Sequence, residues 1–458
     1  MAEFPSWQQG LRPSYAPLRG SVKADAVVVG GGLAGVITAL MLQENGMQVI
    51  LLERDMLGHG STFGCSGLLT WQAPACYQRI ASAYGVSTAR TFAQLLREAV
   101  IALQHTALAI RPAGLTERSV YLYAETEDDL PALEKLLTLE NKLGLQVSIA
   151  RDAGGCPFPL ELSAVMQHQS TLQPLPFLLA LAERSVRAGC RIYERTPVTD
   201  FHRTHLRTPE GAASADMVIL CTGVPLNCRS ASVLSLLEPR LRETRVLRAS
   251  APLHTAQRSV QADEPDLIPL QDGLLLTFDR GAYGTRQADV SRIIRDRTLR
   301  ALLPDAITRD VILRRELYTR DGMPLIGPVT PGNSRMLMAG GFNVHGLAGA
   351  FLAAKTLCAY AMGHPDAESA LFRPFRSQPG RTFFHGATLH NAVKRRLRRW
   401  AHLTTPRCPH MGCPLRYHPG TRQWECPCHG SAFDVFGQVI SAPALHSVDL
   451  SPKDRPPE

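Results

Sequence analysis

From Ala24 to Gly30 the chain reads ADAVVVG, almost wholly apolar and β-branched, the pattern of a strand buried on both faces of a parallel sheet. GGGLAG follows, then the helical run VITALMLQENG, with Gly46 placed to close that helix in a left-handed conformation. A second strand, MQVILLE, ends at Glu53, which completes a βαβ opening. Residues 126–143 predict an amphipathic helix, with Thr126 and Asp129 set as a capping box and Leu130, Leu133 and Leu137 on one face. A helix is predicted over 174–189, then short strands at RIYE, PVTDF and HLRT, and a buried strand at 215–223 (ADMVILCTG). Residues 246–317 alternate in a way that suits a separate β-rich layer. SRMLMAGGFNVHGLAGAFLAAK reads as strand, glycine-rich turn and helix. From about 366 to 405 the chain is polar and basic with no core pattern, which predicts a connector. No internal repeat is present.

The turn after the first strand carries chemistry. Gly30, Gly32 and Gly35 form G-x-G-x-x-G between a strand and a helix. The first glycine permits the tight turn, the second the approach of backbone to a diphosphate, and the third close helix–strand packing, with the helix N-terminus facing the phosphates. Glu53 falls where a carboxylate accepts from ribose hydroxyls, and it would repel a 2′-phosphate. The motif indicates a dinucleotide without deciding between FAD and NAD.

Composition narrows the picture. With 458 residues, 45% hydrophobic and 19% charged, the chain suits a globular protein of two or three units. Seven of its 11 cysteines (Cys65, Cys76, Cys156, Cys190, Cys221, Cys228, Cys358) share no spacing and read as reduced thiols. The other four crowd into the C-terminal part, which points to a metal. The N-terminus has no apolar signal-peptide core, and the longest apolar stretch, Leu347 to Met362, is too short to span a bilayer and contains Lys355. A cytoplasmic location without a transmembrane segment is expected. Part of the formal net charge of +9 lies in the run Lys394 to Arg399. No nucleic-acid-binding module accompanies it, so a solvated helix face or connector is expected and no nucleic-acid partner.

The order of several segments resembles the D-amino-acid-oxidase-like flavoproteins, which include glycine oxidase and gamma-glutamylputrescine oxidase. The carriers are ADAVVVGGGLAG with Glu53 and Arg54, GHGSTFGCSG (58–67), ILCTG (219–223), YTRDGMPLIGP (318–328) and GGFNVHGLAGA (340–350). The resemblance covers roughly residues 15–375. It implies FAD as cofactor, in an α/β fold with a Rossmann-like FAD-binding domain and an inserted β-rich substrate domain. It implies flavin contacts at Gly30, Gly32, Leu33, Ala34, Gly35, Glu53, Arg54, Gly60, Ser61, Thr62, Thr222 and Gly223. Gly341, Gly346, Leu347 and Ala348 would lie along the isoalloxazine, and Val198 on the adenine side. His345 stands where relatives place a histidine beside the flavin, as a base or hydrogen bonder or only to shape the turn. Many relatives carry an arginine before the PDG-like turn to grip a substrate carboxylate. Here Glu316 stands there, flanked by Arg314 and Arg315, so a cationic amine is the expectation.

Residues 408–413 read C-P-H-M-G-C and residues 426–431 read C-P-C-H-G-S. Each short loop supplies a mixed Cys/His pair, unlike the Cys/Cys and His/His pairs of a zinc finger. The two loops resemble the Rieske family. That resemblance implies a [2Fe–2S] cluster with Cys408 and Cys426 on one iron and His410 and His429 on the other. It also implies a disulfide between Cys413 and Cys428. The residues before Cys408 are too few for the usual β-sandwich base, so the small all-β module is expected to be shortened, its base reduced or replaced by packing on the flavoprotein.

The expected organisation is an N-terminal arm (1–22), an FAD unit (23–375), a basic connector (376–405) and a Rieske module (406–458). Within the FAD unit, the FAD part is expected at about 23–85, 175–245 and 318–366, and the substrate part at about 86–174 and 246–317. The implied enzyme oxidises a small amine, amino acid or related C–H donor by hydride transfer to flavin. Electrons then pass singly to the cluster and to an external acceptor or donor protein. The competing readings are a non-catalytic redox carrier or sensor and a plain FAD oxidase using oxygen. A Rieske oxygenase would need an iron site downstream of the cluster, where His446 is the one histidine; His385 and His390 lie upstream.

Overall fold

The computed structural model describes residues 14–376, save 151, 153, 157–158, 227–232, 234–235, 249–252, 262–265, 271–272 and 283–305, and residues 406–450 save 420. The first 13 residues of the expected arm, Cys228, His385, His390, the run Lys394 to Arg399 and the rest of the connector beyond Arg376 lie outside the described residues.

The βαβ opening forms as strand Gly20–Val29, helix Leu33–Glu44 and strand Val49–Leu52. These strands sit inside a sheet in which Met336–Gly340, Gly211–Leu220, Gly20–Val29, Val49–Leu52 and Arg191–Tyr193 run parallel in that order. Leu325–Pro328 lies antiparallel at one edge, and the hairpin Asp200–His202/His205–Arg207 extends Gly211–Leu220. Alternate residues of the two opening strands enter different cores. Ala26, Val28, Val49 and Leu51 join one, and Val27, Val29, Ile50 and Leu52 the other. Burial on both faces is why those strands read as unbroken apolar runs. Helices Leu33–Glu44, Val86–Leu108, Pro174–Arg187 and Gly346–Ala361 cover the first face. The predicted strand at PVTDF is confined to Asp200–His202; Val198 is buried outside any strand, one residue after Pro197, which has no amide proton for a ladder.

The β-rich layer is a nine-stranded, mainly antiparallel sheet. Its edge strand Ile307–Thr319 pairs with Leu237–Arg248, which pairs in turn with Gly273–Ala282. The predicted helix after Thr126 forms as a 3-10 turn, Glu127–Asp129, leading into Leu130–Lys142. The Thr126–Asp129 capping box is present, and Leu133, Leu136 and Leu137 are buried.

The C-terminal part is a four-stranded antiparallel sheet of Arg416–His418, Gln423–Glu425, Ala432–Phe433 and Val439–Ser441. Its own core gathers Cys408, Leu415, Trp424, Cys426, Phe433, Ala444, Val448 and Leu450. Ala442 and Leu445 instead pack against the second core of the parallel sheet. The short module therefore shares apolar surface with the larger unit.

Candidate functional site

The glycine turn is closed by contacts that leave no room for side chains. Gly30 has φ +109°, and a Cβ there would come within 2.6 Å of the Cys221 carbonyl oxygen. A Cβ on Gly35 would run into Gly30 O. Gly32 caps the helix Leu33–Glu44 with no side-chain bond, and no acidic residue lies in the first turn. The amides of that turn, with Leu33 and Ala34, thus offer the positive end of the helix. Thr62 crosses this end, its Oγ1 accepting from Leu33 N–H at 3.3 Å, within the helical turn Ser61–Gly64 that Gly60 caps. Glu53 braces the cradle from behind. Its Oε2 accepts from Gly31 N–H at 2.6 Å and its Oε1 from Asp55 N–H at 2.8 Å. Burial pushes its pKa up, and these two amides and Arg54 oppose that shift. Arg54 itself turns outward to Asp55 at 3.1 Å.

The second small-residue turn meets the third. Thr222 Oγ1 donates to Val224 O at 2.6 Å, Gly223 has φ +77°, and a Cβ on Gly340 would run into Gly223 O. Beyond Gly340 the backbone stays left-handed at Gly341 (φ +69°), Asn343 (φ +51°) and Val344 (φ +66°). Two non-glycine residues in that region store strain, and Asn343 holds it. Asn343 Oδ1 accepts from Thr319 N–H at 2.6 Å, and its Nδ2 donates to Thr319 Oγ1 and Gly322 O, both at 2.9 Å. His345 then caps the helix Gly346–Ala361, whose first residues include the buried Leu347 and Ala348. The cradle, its helix end without an acidic residue and its lack of side-chain volume fit the diphosphate of a dinucleotide.

His345 lines a pocket with Ser66, Thr70, Arg242, Arg258, Asp266 and Arg314. Burial, with Arg258 and Arg242 nearby, lowers the His345 pKa to about 3 against one backbone hydrogen bond to Thr70. The imidazole is therefore neutral near neutral pH, a hydrogen bonder with little basicity. The arginines are tied to two carboxylates. Arg242 reaches Asp266 at 3.5 Å and Glu316 at 3.8 Å, Arg258 reaches Asp266 at 3.6 Å, and Arg314 reaches Glu316 at 2.6 Å. Burial opposes the charge on Arg242, but Tyr318, Glu316 and Asp266 outweigh it and raise its pKa. Three guanidinium groups against two carboxylates leave the pocket positive. Nε of Arg242, Nε of Arg258, and Nε and Nη1 of Arg314 are buried without a hydrogen-bond acceptor among the described residues. Glu316 is thus a counter-ion to arginines, through Oε1 at 2.6 Å from Arg314, while its Oε2 has no hydrogen-bond partner among the described residues.

At the C-terminus the two motif loops converge. Cys408 and Cys426 are buried, and the thiol of Cys426 donates to Cys408, which pulls Cys408 down to about 7. The rings of His410 and His429 meet edge to face, centroids 5.3 Å apart. Two sulfurs on one side and two imidazoles on the other form the donor set that an asymmetric two-iron cluster takes. The expected disulfide is not observed. Cys413 and Cys428 are not bonded to each other, and the sulfurs of Cys413, Cys426 and Cys428 all lie within 4.8 Å of one another. Both outer sulfurs reach Cys426 through hydrogen bonds. Arg315 reaches this module from the larger unit, donating from Nη1 to Gly430 O and to Ala442 O, the latter at 2.7 Å.

The fold and both sites define an FAD-dependent oxidoreductase carrying a Rieske-type module. The sequence profile of the FAD dependent oxidoreductase family matches residues 25–360, and the chain belongs to that family. A Rieske [2Fe-2S] domain profile matches residues 392–452. Over 96% of both chains it is 24% identical to YhfW of Bacillus subtilis (strain 168), named as a Rieske 2Fe-2S iron-sulfur protein. It is 26% identical to gamma-glutamylputrescine oxidoreductase of Escherichia coli (strain K12), over 82% of this chain and 92% of that one. The structure of glycine oxidase from Geobacillus kaustophilus superposes with a TM-score of 0.64 at 20% identity, covering 78% of this chain and 99% of that one. This last similarity shows the fold alone.

Sequence reasoning missed the pocket arginines Arg242 and Arg258. Neither stood out: Arg242 lies in LEPRLRETRVLR, where charges are frequent, and Arg258 in the short strand AQRS. Among the described residues no helix is long and apolar enough to cross a membrane.

Proposed function

We propose that this enzyme oxidises the C–N bond of a small amine that carries a carboxylate, an amino acid or N-substituted amino acid, and sends the electrons through its Rieske module to an external one-electron acceptor. The observation that supports the substrate class is the arginine-rich pocket beside His345, positive overall and with guanidinium donors unused. A carboxylate placed there takes those donors in charge-assisted bonds. The names of the relatives, gamma-glutamylputrescine oxidoreductase and glycine oxidase, agree with an amine or amino acid.

Bound FAD would supply the hydride acceptor, held at Gly30, Gly32, Leu33, Ala34, Gly35 and Glu53, with Gly60, Ser61 and Thr62 across the helix end. Val198, Thr222 and Gly223 would flank the adenine half, and Gly341, Gly346, Leu347 and Ala348 the ring. The cluster, held by Cys408, Cys426, His410 and His429, would carry single electrons. Arg242 and Arg314 bind and orient the carboxylate. Glu316 is the counter-ion of both arginines and competes with the substrate carboxylate for them. His345, neutral, donates or accepts one hydrogen bond at the ring edge and leaves the substrate amine to lose its proton to water. Residues 23–375 act as the catalytic unit and 406–458 as the electron outlet. The seven scattered cysteines, which share no spacing, favour a cytoplasmic setting.

The test is anaerobic mixing of the FAD- and cluster-loaded enzyme with a panel of amino acids, N-methyl amino acids and simple amines. Bleaching of the flavin by carboxylate-bearing amines, followed by appearance of the reduced-cluster signal, is expected. Reduction only by amines lacking a carboxylate would overturn the substrate assignment. Reduced flavin with the cluster left oxidised and peroxide formed in air would overturn the relay.

A further inference from the structure

Strand Ile307–Thr319 has two faces with different neighbours. On one face, Arg314 and Glu316 are ion-paired to each other, and Arg314 lies against the flavin-side turn, where a Cβ on Gly64 would come within 2.9 Å of its Cδ. The residue between them points the other way, as strand geometry requires. That residue is Arg315, which binds the Gly430 and Ala442 carbonyls of the C-terminal module. Gly430 directly follows His429 in the second motif loop, and a Cβ on Gly430 would come within 2.8 Å of Arg315 Cδ and 3.2 Å of Pro239 Cβ. The neighbouring strand keeps the same alternation. Arg242 pairs across from Arg314, and Leu241 across from Arg315. One layer of backbone therefore separates the arginine pocket from the cluster loop, and Ala442 and Leu445 seal the joint with apolar contact.

We propose that Arg315 is a positioning residue that latches the second cluster loop onto the back of this strand, and that its charge raises the potential of the cluster held there. This inference rests on the reading of the module as an electron outlet. The latch fixes the distance and orientation between the two redox sites, so that electrons leave the pocket within one chain. Substrate loses two electrons, and the cluster accepts one at a time. Two passages are needed per turnover, each ending on an external one-electron acceptor, with the protons released to water. The reduced cluster is one charge more negative than the oxidised one, so a guanidinium beside it favours the reduced state. Two carbonyls accept from the same Nη1, which ties loop position to that charge.

The experiment compares the loaded full chain with Arg315→Met, Arg315→Gln and Arg315→Lys. Three readouts are taken: the cluster midpoint potential by EPR-monitored titration, amide hydrogen exchange over residues 428–444, and the rate of cluster reduction after flavin photoreduction. For R315M the expected result is a lower potential, faster exchange in that segment and a rate reduced at least about tenfold. R315K restores all three in part, and R315Q keeps exchange slow while the potential stays low. Wild-type potential and exchange in both R315M and R315Q would overturn the proposal. Photoreduction needs no substrate, so a wrong substrate class fails in the amine panel and leaves this test intact. If cluster reduction never follows flavin reduction even in the wild type, the outlet reading fails, while the exchange data still report the latch.

Discussion

Arg376 grips Asp321 with two parallel bonds, Nε to Oδ2 and Nη2 to Oδ1, each 2.7 Å long. Both side chains are buried, 4% and 0% exposed, so the pair is shielded from screening. Tyr84 donates to the same carboxylate at 2.8 Å, and Arg376 also reaches the Pro324 and Met323 carbonyls. The pair pins Arg376, the first residue of the expected connector, to the turn that Asn343 organises. Burial opposes the Asp321 carboxylate, but Arg376 and the hydrogen bonds outweigh it and lower its pKa. A depressed folded value contributes stability above the unfolded carboxylate range near 3.9 and loses it as pH falls further. Arg376→Ala should cost on the order of 3–5 kcal/mol, because it leaves a buried charge without its partner. Denaturant unfolding at pH 7 reads the loss. A change below about 1 kcal/mol would show that Tyr84 and backbone donors suffice.

The glycine cradle gives a sharper test of cofactor binding. A methyl group on Gly35 meets Gly30 O, which is backbone and has nowhere to move. Gly35→Ala should therefore abolish retention of FAD, measured as flavin absorbance per chain after purification. Gly46→Ala touches nothing within 4 Å although Gly46 has φ +87°, and it should cost only about 1 kcal/mol of stability with FAD retained.

The parts of this fold that were legible in the sequence are those where one local rule acts alone. The double burial of Val27 and Val28 wrote itself as an apolar run, and the Thr126–Asp129 capping box wrote itself as a spacing. The cluster loops are short, so each brings its ligands together without help from the rest of the chain. Glu316 shows where legibility ends. Its position along the chain is plain, but its partners come from other strand positions: Arg242 lies 74 residues away in sequence and pairs only through strand register. A carboxylate read alone suggests a cation site, whereas the register makes it a counter-ion. The Cys413–Cys428 disulfide is not observed for a related reason: the motif brings these sulfurs within 4.8 Å of each other and of Cys426, and proximity alone does not make a bond.

The arginine pocket sets an affinity prediction. Arg314→Met removes a guanidinium whose Nε and Nη1 have no acceptor among the described residues, which weakens a bound anion, and it also takes from Glu316 its 2.6 Å partner, which lowers stability. A charge-assisted bond contributes roughly 1.5–3 kcal/mol, so a small carboxylate inhibitor should bind on the order of 10- to 100-fold more weakly. Titration of the flavin spectrum with acetate or glycolate measures it. Glu316→Gln should leave that affinity equal or tighter, because it removes a competing anion. Weaker carboxylate binding in Glu316→Gln would instead show that Glu316 positions the arginines more than it competes with them.

His345 sets a pH dependence. Its folded pKa is about 3, below the ordinary value of 6.5, because burial and two arginines disfavour the imidazolium. The unfolded chain takes up the proton first as pH falls. Its contribution to stability is therefore complete above about pH 6.5 and is progressively lost between 6.5 and 3. The expected loss over that span is on the order of a few kcal/mol. His345→Gln keeps a hydrogen-bonding side chain without the titration, and should flatten the stability curve in this window. An unchanged curve would mean that other groups, the Asp321 carboxylate among them, dominate acid unfolding.

The metal centre sets the last prediction, and it separates two metals as well as two ligand sets. Zinc prefers four ligands around one ion, and the three sulfurs of Cys413, Cys426 and Cys428 offer a thiolate-rich alternative within 4.8 Å. The mixed pairs Cys408/His410 and Cys426/His429 instead sort into two sulfurs and two imidazoles, which suits two irons of different character. The purified protein should hold about two irons per chain, and dithionite should produce a rhombic signal of low average g. Cys408→Ala should abolish the signal while the flavin spectrum persists, since Cys408 belongs to the module's own core. Cys413→Ala should keep the iron, because this sulfur lies outside the four-ligand set. Zinc in place of iron, with Cys413→Ala losing the metal and Cys408→Ala keeping it, would assign the centre to the three-sulfur group and leave the chain a flavin enzyme with a structural C-terminal module.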